Sequence, residues 1–148
     1  MTSRTGGSPD DTCLLKDVGV AEFNKQHLRL ASYVVEYAQV VEKLDGGAPE
    51  VADWRHLQAL VGRMKRFVVE HFDHEEKMLT EHGYPGLEGQ KKEHGKFKKQ
   101  LASFAADIDD RNHKSLVKYS KVMWTWLFDH INRHDFQYRD FFIEKGVR

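Results

Sequence analysis

The chain has 148 residues, which is enough for one domain with a hydrophobic core of its own. Its 23 lysines and arginines balance its 23 aspartates and glutamates, so no net basic charge favours nucleic acid or an anionic membrane as a partner. Cys13 is the only cysteine, which excludes an internal disulfide and a cysteine-based metal cluster within one chain.

Residues 1–16 show no periodicity, and we expect a flexible N-terminal tail followed by one domain at residues 17–148. The start of the chain lacks the apolar core of a signal peptide, and no apolar run is long enough to cross a membrane. We therefore expect a cytoplasmic monomer. Beyond the tail, Asn24 is a suitable N-cap for a first helix, which places His27 on its apolar face and ends at the Gly- and Pro-containing segment 45–49.

A long second helix follows, with Asp53 as its expected N-cap and its end near His82. Residues four apart lie on one face of a helix, so His71 and Glu75 project side by side. The same face carries the apolar residues of this helix, so both polar groups are expected in its buried stripe. Tyr84-Pro85-Gly86 forms the next turn.

The third helix has a regular alternation of three and four between apolar positions, and Gln90 and His94 lie on that stripe. Residues 109–112 break the pattern. The fourth helix carries His130 on its core face and continues through Asp135. No segment alternates with the period of a strand. The sequence therefore predicts an all-α, up-down-up-down four-helix bundle.

Every predicted helix places a metal-binding side chain on its core face, and nine histidines is a high number for this length. Burying such groups without partners costs several kcal/mol. They form either a hydrogen-bonded network of structural histidines or a metal site, and convergence from four helices favours the metal site. Imidazoles and carboxylates without thiolates suit iron, manganese or zinc.

The same residues form a known pattern, since the chain resembles the hemerythrins and in particular the bacterial single-domain members, the bacteriohemerythrins. The matching segments are Gln26-His27, His71-Phe72-x-x-Glu75-Glu76 with Met78, Tyr84-Pro85, His94-x-x-Phe97, and Trp126-Leu127-x-x-His130-Ile131-x-x-x-Asp135-x-x-Tyr138. The resemblance covers about residues 18–140 and implies a hemerythrin-like four-helix bundle.

The resemblance also implies a cofactor, two non-haem iron ions with a bridging oxo or hydroxo group, which binds O₂ reversibly. By this comparison Glu75 and Asp135 are the bridging carboxylates. His27 and His71 match the histidines of the iron that takes O₂. The other iron, which in the family is coordinatively full, takes His94 and His130.

One position departs from the family pattern, because Gln90 stands where the family has a further histidine ligand, four residues before His94. A buried amide needs partners for its carbonyl and for both N–H groups. Three interpretations remain open: the carbonyl oxygen binds iron, the side chain holds a water or hydroxide in the vacated position, or this half of the site has lost its metal. His74 and His134 lie beside the core stripes, but the matching family positions are not ligands.

The spacing of His130 and Asp135 poses a geometric problem. Five residues of an ideal α-helix rotate the chain by about 500°, which leaves Asp135 about 140° away from the face of His130. Either the helix contains a π-bulge of one residue here, or a regular helix lets the two side chains reach round opposite sides of the metals.

The expected function is O₂ binding, as a carrier, store or sensor, with O₂ or small anions such as peroxide and azide as partners. A loss of one imidazole leaves an open or labile position on the second iron, which favours the alternative of a di-iron enzyme that reduces peroxide or nitrogen oxides. An iron-sensing or iron-storage module is a third hypothesis. The apolar wall expected to keep water from the O₂ pocket consists of Phe72, Trp124 or Trp126, Leu127 and Ile131.

Overall fold

The computed structural model describes residues 15–148, and its first three helices are long and regular. They are α1 (Ala21–Leu44), α2 (Val51–Glu81) and α3 (Leu87–Asp109). Helix α2 packs against both α1 and α3. The predicted tail, residues 1–16, lies outside the described part of the chain except for Leu15 and Lys16.

The fourth helical segment is composite. It consists of α4 (Leu116–Asp129), a π-helical turn (His130–His134), a 3₁₀ turn (Asp135–Tyr138) and a short α5 (Arg139–Glu144). Helix α4 packs against α1, which closes the bundle. The described residues contain no strand, so the predicted all-α four-helix bundle is confirmed.

Both predicted N-caps lie inside their helices. Helix α1 begins three residues before Asn24, whose side-chain oxygen accepts a hydrogen bond from the Val18 backbone N–H at 3.0 Å. Asp53 is the third residue of α2 and accepts from the backbone N–H of Glu50 at 2.9 Å. Asp53 thus satisfies the N–H of the N-cap residue from within the first turn, whereas Asn24 binds the N–H of a residue two positions before the N-cap of α1.

The helices end at residues that can adopt a left-handed backbone. Gly83, which follows the C-cap His82 of α2, has φ of 70°, where a side chain would be strained, and it starts the turn to α3. The core between the helices is apolar and largely aromatic. Within it the buried Tyr37 hydroxyl donates a hydrogen bond to the Leu116 carbonyl at 2.7 Å, which joins α1 to the start of α4.

None of the helices in residues 15–148 has the length and hydropathy that crossing a bilayer requires.

Candidate metal centre

The six predicted ligand side chains lie together in the bundle core. Helix α1 supplies one, α2 two, α3 one and the composite fourth segment two. The two carboxylates are fully buried, and no histidine of the set is more than 3% exposed. These residues are His27, His71, Glu75, His94, His130 and Asp135.

The first half of the centre is formed by two histidines and two carboxylates. His27 Nε2 lies 3.1 Å from Asp135 Oδ2, and His71 Nε2 lies 3.2 Å from Glu75 Oε2. His27 Nε2 is also 3.7 Å from Glu75 Oε2. One donor atom from each of the four residues lies within 4.8 Å of the others, which is compact enough to surround a single metal ion.

The second half uses the other oxygens of the same two carboxylates. His94 Nε2 is 3.0 Å from Glu75 Oε1, and His130 Nε2 is 2.9 Å from Asp135 Oδ1. These four residues also satisfy the 4.8 Å limit. Each carboxylate therefore presents one oxygen to each histidine pair, as a group shared between two metal ions must.

The π-helical turn brings His130 and Asp135 to the same side of the fourth segment. It spans His130–His134 and is the first of the two geometries expected from the spacing. A wider turn holds more residues per revolution, so a residue five positions on returns to the starting face. The π-turn thereby removes most of the offset of about 140° that a regular α-helix would impose.

The electrostatics of the pocket favour a cation. Burial opposes ionisation of Glu75, but contacts with His27 and His71 outweigh it and hold the pKa of Glu75 well below its usual range. The pKa of Asp135 is also lowered, against burial and the charge of Glu75, chiefly by His130. Burial disfavours the imidazolium of His27, yet Asp135 and Glu75 raise the pKa of His27 to about 9. Two ionised carboxylates are thus fixed in an apolar core.

The buried donor atoms also fit a metal ion. Both ring nitrogens of His27 and of His130, and Oδ2 of Asp135, have no hydrogen-bond partner among the described residues. His27 Nε2 and Asp135 Oδ2 are 3.1 Å apart, but their orientation is not that of a hydrogen bond. Buried donor atoms that converge without hydrogen-bonding one another are suited to a shared cation, and imidazole with carboxylate suits iron.

Gln90 lies in the second half of the centre, 4% exposed. Its Nε2 donates a hydrogen bond to Asp135 Oδ1 at 3.0 Å, and its buried Oε1 has no partner among residues 15–148. The two histidine pairs are therefore matched in number, with two imidazoles each, and Gln90 adds an amide beside the second pair.

Three further side chains, none of them predicted as a ligand, contact the centre. Gln26 Oε1 lies 2.6 Å from His71 Nδ1, Glu76 Oε2 lies 2.7 Å from His94 Nδ1, and the Tyr138 hydroxyl donates to Glu75 Oε2 at 3.1 Å. Each of them belongs to the segments that carried the family resemblance, but spacing alone gave no reason to assign it a contact.

The remaining histidines near the core have partners outside the centre. His74 Nδ1 is 3.1 Å from Gln26 Nε2, and His134 Nε2 is 2.9 Å from Glu93 Oε1. They lie at the edge of the centre, as expected for residues at positions that are not ligands in the family.

Of the predicted apolar wall, the structure brings two aromatic rings directly against ligand histidines. The Phe72 ring stacks on His94 with 3.8 Å between centroids, and the Trp126 ring stacks on His130 at 4.4 Å. Leu127 and Ile131 are both buried in the same core. Trp124, in contrast, packs against Phe128 on another side of α4.

Comparison with known proteins agrees with this arrangement. Residues 18–141 match the family profile described as the hemerythrin HHE cation binding domain. A myohemerythrin of Theromyzon tessulatum is 26% identical over 111 residues, which are 73% of this chain and 87% of the relative. A bacteriohemerythrin of Clostridium acetobutylicum is 26% identical over 125 residues, 84% of this chain and 94% of the relative. A myohemerythrin of Riftia pachyptila is 31% identical over 81 residues, 55% of this chain and 62% of the relative.

The family profile covers most of the chain, and it spans every helix that contributes to the centre. Its description as a cation binding domain agrees with two overlapping sets of buried imidazoles and carboxylates. The chain belongs to the hemerythrin family.

Proposed function

We propose that this protein binds O₂ at a non-haem di-iron centre in the bundle core, as an oxygen carrier, store or sensor. The observation that carries the proposal is the pair of overlapping donor groups, each with two histidines and both built on the carboxylates of Glu75 and Asp135. Their oxygens divide between the two histidine pairs, which supports two metal ions side by side.

His27 and His71 would hold one iron and His94 and His130 the other, with Glu75 and Asp135 shared and an oxo or hydroxo group completing the bridge. Two ferrous ions together supply the two electrons that reversible O₂ binding requires. The protein contributes by holding the donor atoms in place. A pocket of buried, converging side chains needs little rearrangement when metal ions bind.

The apolar side chains around the centre would exclude water and protons. Phe72, Leu127 and Ile131 are all buried to 1% exposure or less, and the Phe72 ring covers one face of His94. Tyr138 adds one fixed proton: burial, followed by the charges of Asp135 and Glu75, raises the pKa of Tyr138 well above its usual value, so its hydroxyl stays protonated and donates to Glu75.

The test is anaerobic reconstitution with ferrous salt, followed by metal analysis and absorption spectra before and after O₂ is admitted. Two iron ions per chain and a visible band that disappears when O₂ is removed are the expected results. A protein that retains no iron under these conditions does not have the proposed function.

A specific observation favours a second function, the reduction of peroxide or nitrogen oxides. Gln90 replaces an imidazole in the second half, so both histidine pairs contain only two imidazoles. A donor set of that size leaves room for an exchangeable ligand at either metal, as in metal centres that react with substrates. Rapid, irreversible conversion to the ferric state in O₂, together with turnover of added peroxide, would support the enzyme over the carrier.

A further inference from the structure

Two polar side chains form a pair at the surface, beside the second half of the centre. His134 Nε2 is 2.9 Å from Glu93 Oε1, and the two side chains are 32% and 21% exposed. His134 belongs to the π-helical turn and Glu93 to α3, so the pair bridges the seam between these two elements. Neither residue is part of the family pattern or of the two donor groups in the core. We call these two residues the outer pair.

The outer pair adjoins the ligands of the second half. Glu93 directly precedes His94 on α3, and the ring centroids of His134 and His130 are 5.7 Å apart, with 25° between the ring planes. Gln90 is buried one turn before Glu93 on the same helix, and its Oε1 has no hydrogen-bond partner among residues 15–148. Oxygen and nitrogen donors therefore continue from the surface to the buried imidazoles.

The other approaches to the centre offer a cation less. Towards the start of α4, the ring of His130 is covered by Trp126 at 4.4 Å, and Trp126 is itself stacked on Phe97 at 3.9 Å. Beside the first half, His74 contacts only the neutral amide group of Gln26 among the hydrogen-bonding side chains of the described residues. A hydrated cation gives up water at low cost only where other polar groups replace it. The charged outer pair provides such groups.

We propose that the outer pair is a transit site, at which a divalent metal ion binds on its way into the second half of the centre. Carboxylate and imidazole are both ligands of ferrous iron, and the carboxylate of Glu93 raises the local concentration of cations at the seam. Glu93 Oε1 and His134 Nε2 replace water on the incoming ion and pass it to the buried donors. The inference rests on the proposed function only in requiring that the core binds two metal ions.

A neighbouring lysine does not occupy the site. Lys96 Nζ lies 3.4 Å from the other oxygen of the carboxylate, Glu93 Oε2, and its side chain is mostly exposed. Ion pairs at exposed positions are weak, so Oε1 remains available to a metal ion. With two donor side chains, the outer pair holds an ion loosely, which allows the ion to move on to the larger donor group in the core.

The experiment measures the rates of metal uptake and release separately from affinity. The folded apoprotein is mixed anaerobically with Fe²⁺, and separately with Co²⁺, whose visible absorption reports binding directly. Release is followed after addition of excess chelator, and affinity is measured by competition titration. Glu93→Gln removes the charge at nearly constant size, and His134→Gln removes the imidazole but keeps a polar side chain.

Three further variants serve as comparisons. Glu88→Gln, at an exposed position on α3, is the control for charge, and His113→Gln, at an exposed position in the turn before α4, is the control for loss of a histidine. His74→Gln tests entry beside the first half. Gln90→His assigns the kinetic phases, because an added imidazole changes the Co²⁺ spectrum of the second half only.

We expect Glu93→Gln and His134→Gln each to slow the uptake phase of the second half about tenfold, with affinity unchanged. Because affinity is the ratio of the two rates, release slows by the same factor. The double variant is no slower than the slower single variant, since both side chains act in one step. Glu88→Gln, His113→Gln and His74→Gln load at the parental rate.

Uptake at the parental rate, or faster, in both outer-pair variants would overturn the transit site while leaving the di-iron centre intact. Slower uptake in His74→Gln alone would overturn it as well, by placing entry beside the first half. A loss of affinity with unchanged uptake would show that the outer pair stabilises the loaded centre and is not a route into it. A parent protein that binds neither metal would overturn the proposed function and the transit site together.

Discussion

A single amide distinguishes the two halves of the centre. Gln90 lies among imidazoles and carboxylates, and its NH₂ group donates to Asp135 rather than leaving that carboxylate to the histidines alone. Its carbonyl oxygen is a weaker metal ligand than imidazole. The second half therefore has a hydrogen-bond donor at the position where the family pattern has a ligand.

Replacing Gln90 by histidine tests this consequence. We expect Gln90→His to slow the conversion of the ferrous protein to the ferric form in air, because a further imidazole closes the exchangeable position on the second metal. The absorbance change after mixing with O₂ gives the rate. Gln100→His, at an exposed site on the same helix, is the control. Equal rates in the parent and in Gln90→His would show that Gln90 does not govern oxidation.

A second residue, Tyr119, makes the stability of the fold depend on pH at a place remote from the metal centre. The Tyr119 hydroxyl donates to Asp107 Oδ2 at 2.6 Å, and this hydrogen bond, followed by burial, raises the pKa of Tyr119 to about 12. An unfolded tyrosine has a pKa of about 10. The contribution to stability is therefore complete below pH 10 and is lost as the pH rises from 10 to 12.

Tyr119→Phe removes that titration. The free energy of unfolding of the parent, measured by urea denaturation between pH 9 and about 11.5, falls more steeply than that of Tyr119→Phe. Parallel curves for the two proteins would contradict the contact with Asp107.

Among the structural elements, the π-helical turn does most to create the centre. Without it His130 and Asp135 would lie about 140° apart around the fourth segment. The sequence posed the problem through the spacing of the two residues, but it could not choose between a π-turn and a regular helix. That choice depends on how the whole segment packs against its neighbours, which a local pattern does not contain.

The turn can be tested by changing its length. Deleting the exposed Arg133 reduces the spacing to four residues, which a regular α-helix returns to within about 40° of the His130 face. Inserting alanine after Arg133 increases the spacing to six. We expect the deletion to retain metal binding and the insertion to lose it at least tenfold, measured by competition titration, with Arg133→Ala as control. The opposite order would show that the π-turn is not what aligns Asp135.

The helical spacing of side chains explains how much of the centre the sequence could predict. His71 and Glu75 are one turn apart on a buried stripe, so their proximity follows from the helix itself. The contacts of Gln26 and Glu76 could not be assigned from spacing, because they cross between helices, to His71 and His94. Such contacts depend on the relative rotation of packed helices, and the sequence spacing does not determine it. The caps at Asn24 and Asp53 were misplaced for a simpler reason, since a polar side chain can satisfy N–H groups from inside the first turns.

At the scale of the molecule, the centre is a cluster of polar groups in an otherwise apolar core. Several of its atoms lack partners among the described residues, and burying them costs free energy that the surrounding packing must offset. A metal that binds the folded state and not the unfolded chain contributes about 2.7 kcal/mol when its concentration is a hundred times Kd. The apoprotein is therefore expected to be much less stable than the loaded protein.

Thermal unfolding measures this linkage. We expect anaerobic Fe²⁺ to raise Tm by roughly 5–10 °C for each metal ion bound at that saturation, and a chelator to reverse the increase. Glu75→Gln, which weakens a carboxylate shared by both metals, reduces the shift. If Fe²⁺ binds but Tm does not change, the unfolded chain holds the metal as well as the folded protein does.

We also expect the composite fourth segment to determine how a loaded centre would lose its metal. His130 and Asp135 both come from one irregular stretch, where a π-turn runs directly into a 3₁₀ turn and a short final helix. Fraying of this stretch would withdraw a histidine and a shared carboxylate in a single event, without unfolding of the three regular helices. Metal release and amide hydrogen exchange in residues 130–138 would then report the same local opening, and metal loading would slow both rates together.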